Sequence, residues 1–126
     1  MIAAPILAAI ALSLTGHSTE ITCEGRGYLQ GWAFPGQPRV WLTEPVCTLA
    51  RQGRGVGVRA LLHELAHTLQ TVGDEHGADC YARDHLRGVL KRFWRFKTHR
   101  VNTEYQEALA AEREGAREDA RYGCVR

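Results

Sequence analysis

Apolar and polar positions change rhythm twice along the chain, and each change marks a new kind of element. Residues 2–14 (IAAPILAAIALSL) are an unbroken apolar run. From 21 to 49 no helical period is visible, and Gly25, Gly27, Gly31, Pro35, Gly36, Pro38 and Pro45 punctuate the segment. Within it, residues 27–34 and 40–43 read as short strands joined by a turn at Gly36-Gln37-Pro38. Residues 51–57, with three glycines, read as a flexible lead-in. From Val58 the period becomes helical. Leu61, Leu62, Leu65, Ala66 and Leu69 make an apolar stripe, and Ala60, His63, Glu64, His67 and Thr71 occupy another face. Gly73 is a natural stop, and Asp74 a natural N-cap for a second helix from about Glu75 into the Leu86, Val89, Leu90, Phe93 stripe. A third helix is expected from Asn102 or Thr103, with Thr103 and Gln106 as a capping box, to about Tyr122. The expected class is α+β: a small N-terminal antiparallel β part, then three helices, the one carrying His63 first.

Composition narrows the setting. A chain of 126 residues with 44% hydrophobic content suits one compact domain, expected to be a monomer. Sixteen basic and 14 acidic residues leave a net charge of +2, which indicates no global polyelectrolyte partner. Only Lys91–Arg100 mixes basic and aromatic residues densely. It reads as a helix end with aromatics packed inward and charges solvated, so no nucleic-acid partner is expected. The apolar run at residues 2–14 is too short for a stable membrane span and fits a signal-peptide core, with small residues allowing cleavage after Ala11 or Gly16. No Lys or Arg precedes it, and its alternative reading is a buried first helix. On the export reading, residues 1–16 are a signal peptide and 17–126 the domain. Cys23, Cys47, Cys80 and Cys124 form an even set without a CxxC pair, as in disulfide-stapled exported domains. Three pairings are open. Cys23–Cys47 with Cys80–Cys124 is preferred, since each joins neighbouring parts of one half. A secreted or cell-envelope location follows.

The chemistry is concentrated in His63-Glu64-Leu65-Ala66-His67. Helical positions i and i+4 share a face, so both imidazoles can reach one ion, and Glu64 is turned about 100° from His63 as a candidate base. By chance this composition would yield an HExxH string in about one chain in fifty, so context decides. That context is a strong helix, a sharp turn and acidic residues opening the return arm. Two imidazoles and a carboxylate suit Zn2+. The third ligand stays open between two residues. A hairpin turning at Gly73 brings Asp79 level with His67. A helix ending near Gln70 brings Glu75 level with His67, and Asp79 level with His63 as an orienting carboxylate.

The string His63-Glu64-Leu65-Ala66-His67-Thr68-Leu69-Gln70, followed by Asp74-Glu75-His76-Gly77-Ala78-Asp79-Cys80-Tyr81-Ala82, resembles the gluzincin metallopeptidases. It is most similar to the small neutral zinc metallopeptidase type, over roughly residues 58–86. The resemblance implies a minimal zincin-like domain, with His63, His67 and Glu75 as zinc ligands, Glu64 as general base and Asp79 as supporting carboxylate. It also implies a peptide or protein substrate. Val40-Trp41-Leu42-Thr43 resembles the edge strand on which zincins hold an extended peptide. Seven residues separate His67 from Glu75, fewer than in most gluzincins. Tyr81, His85 and Tyr105 are candidates to stabilise an oxyanion, while His17, His76, His85 and His99 each have an ordinary reading as isolated histidines. The competing function is a non-catalytic module that keeps the metal and binds a protein partner.

Overall fold

A computed structural model of the chain describes residues 5–27, 30–115 and Cys124. The described elements run α1 (Pro5–Thr15), β1 (Glu20–Cys23), β2 (Gly31–Ala33), β3 (Arg39–Leu42), α2 (Glu44–Arg51), α3 (Gly55–Leu69), α4 (Glu75–Trp94) and α5 (Thr98–Gly115). The α+β class therefore holds, but with five helices rather than three. The motif helix is the third of them.

The sheet is mixed, not antiparallel as expected. β3 lies in the centre, parallel to β1 and antiparallel to β2. β1 went unread because parallel pairing is non-local and four residues show too little alternation. Val40 and Leu42 point inward with Ile21 and Cys23, while Trp41 and Trp32 stack on the outer face with ring centroids 5.7 Å apart. Helix α3 packs across the inner face and also touches α2, α4 and α5, which makes it the hub of the molecule. Leu61, Leu62 and Leu65 are fully buried there, with Leu42, Leu86, Leu90 and Val101.

Residues 51–57 are not a flexible lead-in. They hold the end of α2, a turn at Gly53 (φ +73°) and the first turn of α3. Gly55 and Gly57 lie in the helix where neighbouring backbones leave no room for a side chain. A Cβ on Gly55 would meet the Glu104 carbonyl, and one on Gly57 would meet the Leu49–Ala50 backbone of α2. No side chain of its own caps α3. Glu104, reaching over from α5, accepts the Gly55 N–H at 2.8 Å instead. Helix α5 begins at Thr98, earlier than expected. Thr103 then lies inside the helix, its hydroxyl donating to the His99 carbonyl at 3.0 Å. The expected end near Tyr122 lies outside the described residues, as do Tyr28 and Leu29 of the first expected strand, of which Gly31–Ala33 form β2.

Cys23–Cys47 and Cys80–Cys124 are bonded, with Cα–Cα separations of 5.9 and 5.3 Å. The first ties β1 to α2, and the second ties α4 to the C-terminal segment. Both pairs suit an exported protein. Helix α1 buries Leu7, Ile10 and Ala11 against the rest of the core. Among the described residues no helix is long and apolar enough to cross a membrane.

Candidate metal centre

The ends of two helices create the site. Helix α3 stops at Leu69, and Gln70 turns the chain into an extended backbone (φ −89°, ψ 150°). The return begins at Asp74, whose carboxylate caps α4 by accepting the Gly77 N–H at 3.1 Å. The helix thus ends at the earlier of the two positions considered from sequence. Glu75 then reaches His67, and Asp79 reaches His63.

His63, His67 and Glu75 each offer a ligand atom within 4.8 Å of the others. The His63 and His67 Nε2 atoms lie 3.2 Å apart. Glu75 Oε2 is 3.1 Å from His63 Nε2, and Glu75 Oε1 is 2.7 Å from His67 Nε2. A tetrahedral ion with bonds of about 2.0–2.1 Å sets neighbouring donors about 3.3 Å apart, so the set fits such an ion.

The far side of each ring strengthens this fit. His63 Nδ1–H donates to Asp79 Oδ1 at 2.7 Å. His67 Nδ1–H donates to Gln70 Oε1 at 2.8 Å. With both Nδ1 atoms committed as donors, each neutral ring turns an Nε2 lone pair toward the same point, where a carboxylate also aims its oxygens. Three acceptors facing one another repel unless a cation or a proton lies among them. Asp79 is not a first-choice ligand here, because it is engaged with His63 and with Arg59 Nη1 at 3.4 Å.

Electrostatics follow from these contacts. Burial works against a charged His63. The Asp79 hydrogen bond, with the charges of Glu64, Asp79 and Glu75, outweighs it and raises the pKa above 6.5. Glu64 is 7% exposed, and burial lifts its carboxyl above the usual range. Glu75 adds to that rise, whereas His63, His67 and Arg59 oppose it. Glu64 lies beneath β2, where a Cβ on Gly31 would come 3.2 Å from its Cγ.

Two supporting residues were not anticipated. Arg59 precedes His63 by one helical turn, so its place on the same face was readable from the period. Gln70 follows His67 by three residues, but its role depends on where the helix ends. One expected feature is corrected: Val40–Leu42 belong to the central strand, with both edges paired, and cannot be an edge strand. The edge strands are β1 and β2. Among the described residues, Tyr81, His85 and Tyr105 make their ring contacts elsewhere. Tyr81 packs on His85 at 4.2 Å, and Tyr105 lies under Arg87 at 3.9 Å. In the basic-aromatic stretch, Phe93, Trp94 and Phe96 pack against the core, Arg92 donates to Ser13 at 2.7 Å, and Arg100 lies over Phe96.

Compared with known protein families, curated proteins and solved structures, the chain matches none of them.

Proposed function

We propose that the chain is a zinc-dependent metallopeptidase of minimal zincin-like design, with His63, His67 and Glu75 as ligands and Glu64 as general base. The observation that carries this reading is the convergence of two Nε2 lone pairs and one carboxylate, with Asp79 and Gln70 holding the rings from behind. The likeness of residues 63–82 to the gluzincin motif supports the same roles. When bound, a zinc ion supplies Lewis acidity and a water of lowered pKa. Glu64 accepts a proton from the attacking water and later delivers it to the leaving amine. Burial lifts its carboxyl above the usual range, the direction that helps it hold and return a proton. Asp79 and Arg59 keep His63 oriented through the cycle. An extended peptide would pair along the β2 edge, where Trp32 and Phe34 are exposed.

The test has two parts. Zinc is quantified in wild type and His67→Ala, and peptide hydrolysis is assayed in wild type and Glu64→Gln. Stoichiometric zinc lost in His67→Ala, with turnover lost in Glu64→Gln, is the expected result. A wild type without stoichiometric metal would end the proposal. Zinc without Glu64-dependent turnover would transfer the chain to the non-catalytic binding module.

A further inference from the structure

We propose that Gln70 is a positioning residue whose single amide fixes the ring of His67 and the reach of Glu75, an inference that rests on the zinc-centre reading above. The amide makes three bonds. Oε1 accepts from His67 Nδ1–H at 2.8 Å and from the Asp74 N–H at 3.0 Å. Nε2 donates to the Asp74 carbonyl at 3.0 Å. This pattern sets which end of the amide is oxygen, because the reversed amide would face two N–H donors with its own N–H and a carbonyl with its carbonyl.

The consequence runs through Asp74. Gln70 holds both backbone groups of that residue, and the Asp74 carboxylate holds the first turn of α4 through Gly77. Glu75 is the next residue. One planar side chain therefore connects the His67 ring to the start of the helix that delivers the third ligand. The seven-residue separation of His67 and Glu75 is short, and with Thr71, Val72 and Gly73 exposed, the loop has few other internal ties. The closure also has a shape requirement. The turn at Pro35–Gly36 packs on the same segment, with the Gly36 N–H donating to the His67 carbonyl at 3.4 Å. Only a primary amide carries both the acceptor for two N–H groups and the donor for one C=O. Glutamate keeps the acceptor alone, and leucine keeps neither.

Three measurements on wild type, Gln70→Leu and Gln70→Glu separate the two roles. The first is zinc affinity, by competition with a chromophoric chelator. The second is the melting temperature of the metal-free protein in excess chelator. The third is the long-range proton–nitrogen spectrum of the imidazoles in that metal-free protein, which reports the His67 tautomer. In wild type His67 is expected as the Nδ1–H form. Gln70→Leu should lose that preference and raise the zinc Kd about 10- to 100-fold, the usual effect of removing the residue behind a ligating histidine. Gln70→Glu should restore the tautomer and return the Kd to within about threefold of wild type. The melting temperature should fall in both variants, since both lack the donor to Asp74. A Gln70→Leu Kd within twofold of wild type would overturn the proposal, as would a Gln70→Glu variant no tighter than Gln70→Leu. If Gln70→Leu does not fold, a wild-type His67 that is not in the Nδ1–H form overturns the proposal, and an Nδ1–H His67 in wild type and Gln70→Glu supports it. Should wild type hold no zinc, the peptidase reading fails separately. The tautomer in wild type and Gln70→Leu then judges Gln70.

Discussion

Glu104→Gln removes one negative charge from beneath the helix that carries His63 and His67. The carboxylate is 5% exposed and accepts three N–H groups: Gly55 backbone at 2.8 Å, Arg100 Nε at 3.0 Å and Arg54 Nε at 3.3 Å. Glutamine can still accept from Gly55, so the seat stays filled, but the charge at the α3 N-terminus is gone. That charge contributes about 0.3–2 kcal/mol at a helix end. The two arginines are 43% and 47% exposed, so solvent screens both pairs and neither adds much. The expected loss is about 0.3–2 kcal/mol at pH 7, and melting should fall by about 4 °C for each kcal/mol in a chain of this size. The pH dependence sharpens the test. Burial pushes the Glu104 carboxyl up, but the Gly55 hydrogen bond and the two arginines outweigh it and hold the pKa below 4.5. A group with a depressed folded pKa contributes fully above its unfolded pKa, and the contribution fades as pH falls through the folded value. Urea denaturation of both proteins at pH 7 and pH 3 should show a gap that shrinks at the lower pH, which lies below the unfolded pKa of the wild-type carboxyl. A gap unchanged by pH, or no gap at pH 7, would refute the assignment.

Three further outcomes are expected. Asp79→Asn should weaken zinc binding about 10- to 100-fold while the protein stays folded, since the residue steers His63 rather than filling the core; equilibrium competition against a chelator measures it, and unchanged affinity would remove Asp79 from the centre. Reducing both disulfides should lower the unfolding free energy by about 3–4 kcal/mol per bridge, from loops of 24 and 44 residues; urea curves with and without reductant should separate widely, and superimposed curves would contradict this. Gly57→Ala should destabilise by about 1–3 kcal/mol despite the better helix propensity of alanine, because its methyl group meets the α2 backbone; calorimetry that finds a stabilised variant would show that α2 and α3 lie further apart.

Local chemistry was readable where a residue acts on its chain neighbours. The Asp74 cap and the facing histidines follow from spacing along one or two elements, whereas the cysteine pairing was a preference among three that the bonded pairs Cys23–Cys47 and Cys80–Cys124 match. Glu75 and Asp79 stayed interchangeable in the sequence because a shift of one helical turn exchanges their places, and the end of α3 sets that turn. What escaped were effects of distant segments. Gly55 and Gly57 look like flexible positions until α2 and α5 are seen against them. Pro45 reads as a breaker, but it occupies the first turn of α2, where its missing N–H goes unneeded. The central place of β3 depends on a parallel partner that no local pattern announces. The Arg59–Asp79–His63 chain crosses from α3 to α4 and back, so its meaning appears only once the helices are paired.

The unequal burial of the His63, His67 and Glu75 side chains would have a kinetic consequence for a bound ion. His67 is 6% exposed and His63 13%, both on the most enclosed helix, whereas Glu75 is 74% exposed on the first turn of the return arm. An ion held by this set has two anchored bonds and one that can swing into solvent. Exchange with a chelator should then start by release of the carboxylate, leaving the imidazole pair engaged. Shortening that arm by Glu75→Asp should change the residence time of the ion more than its rate of arrival.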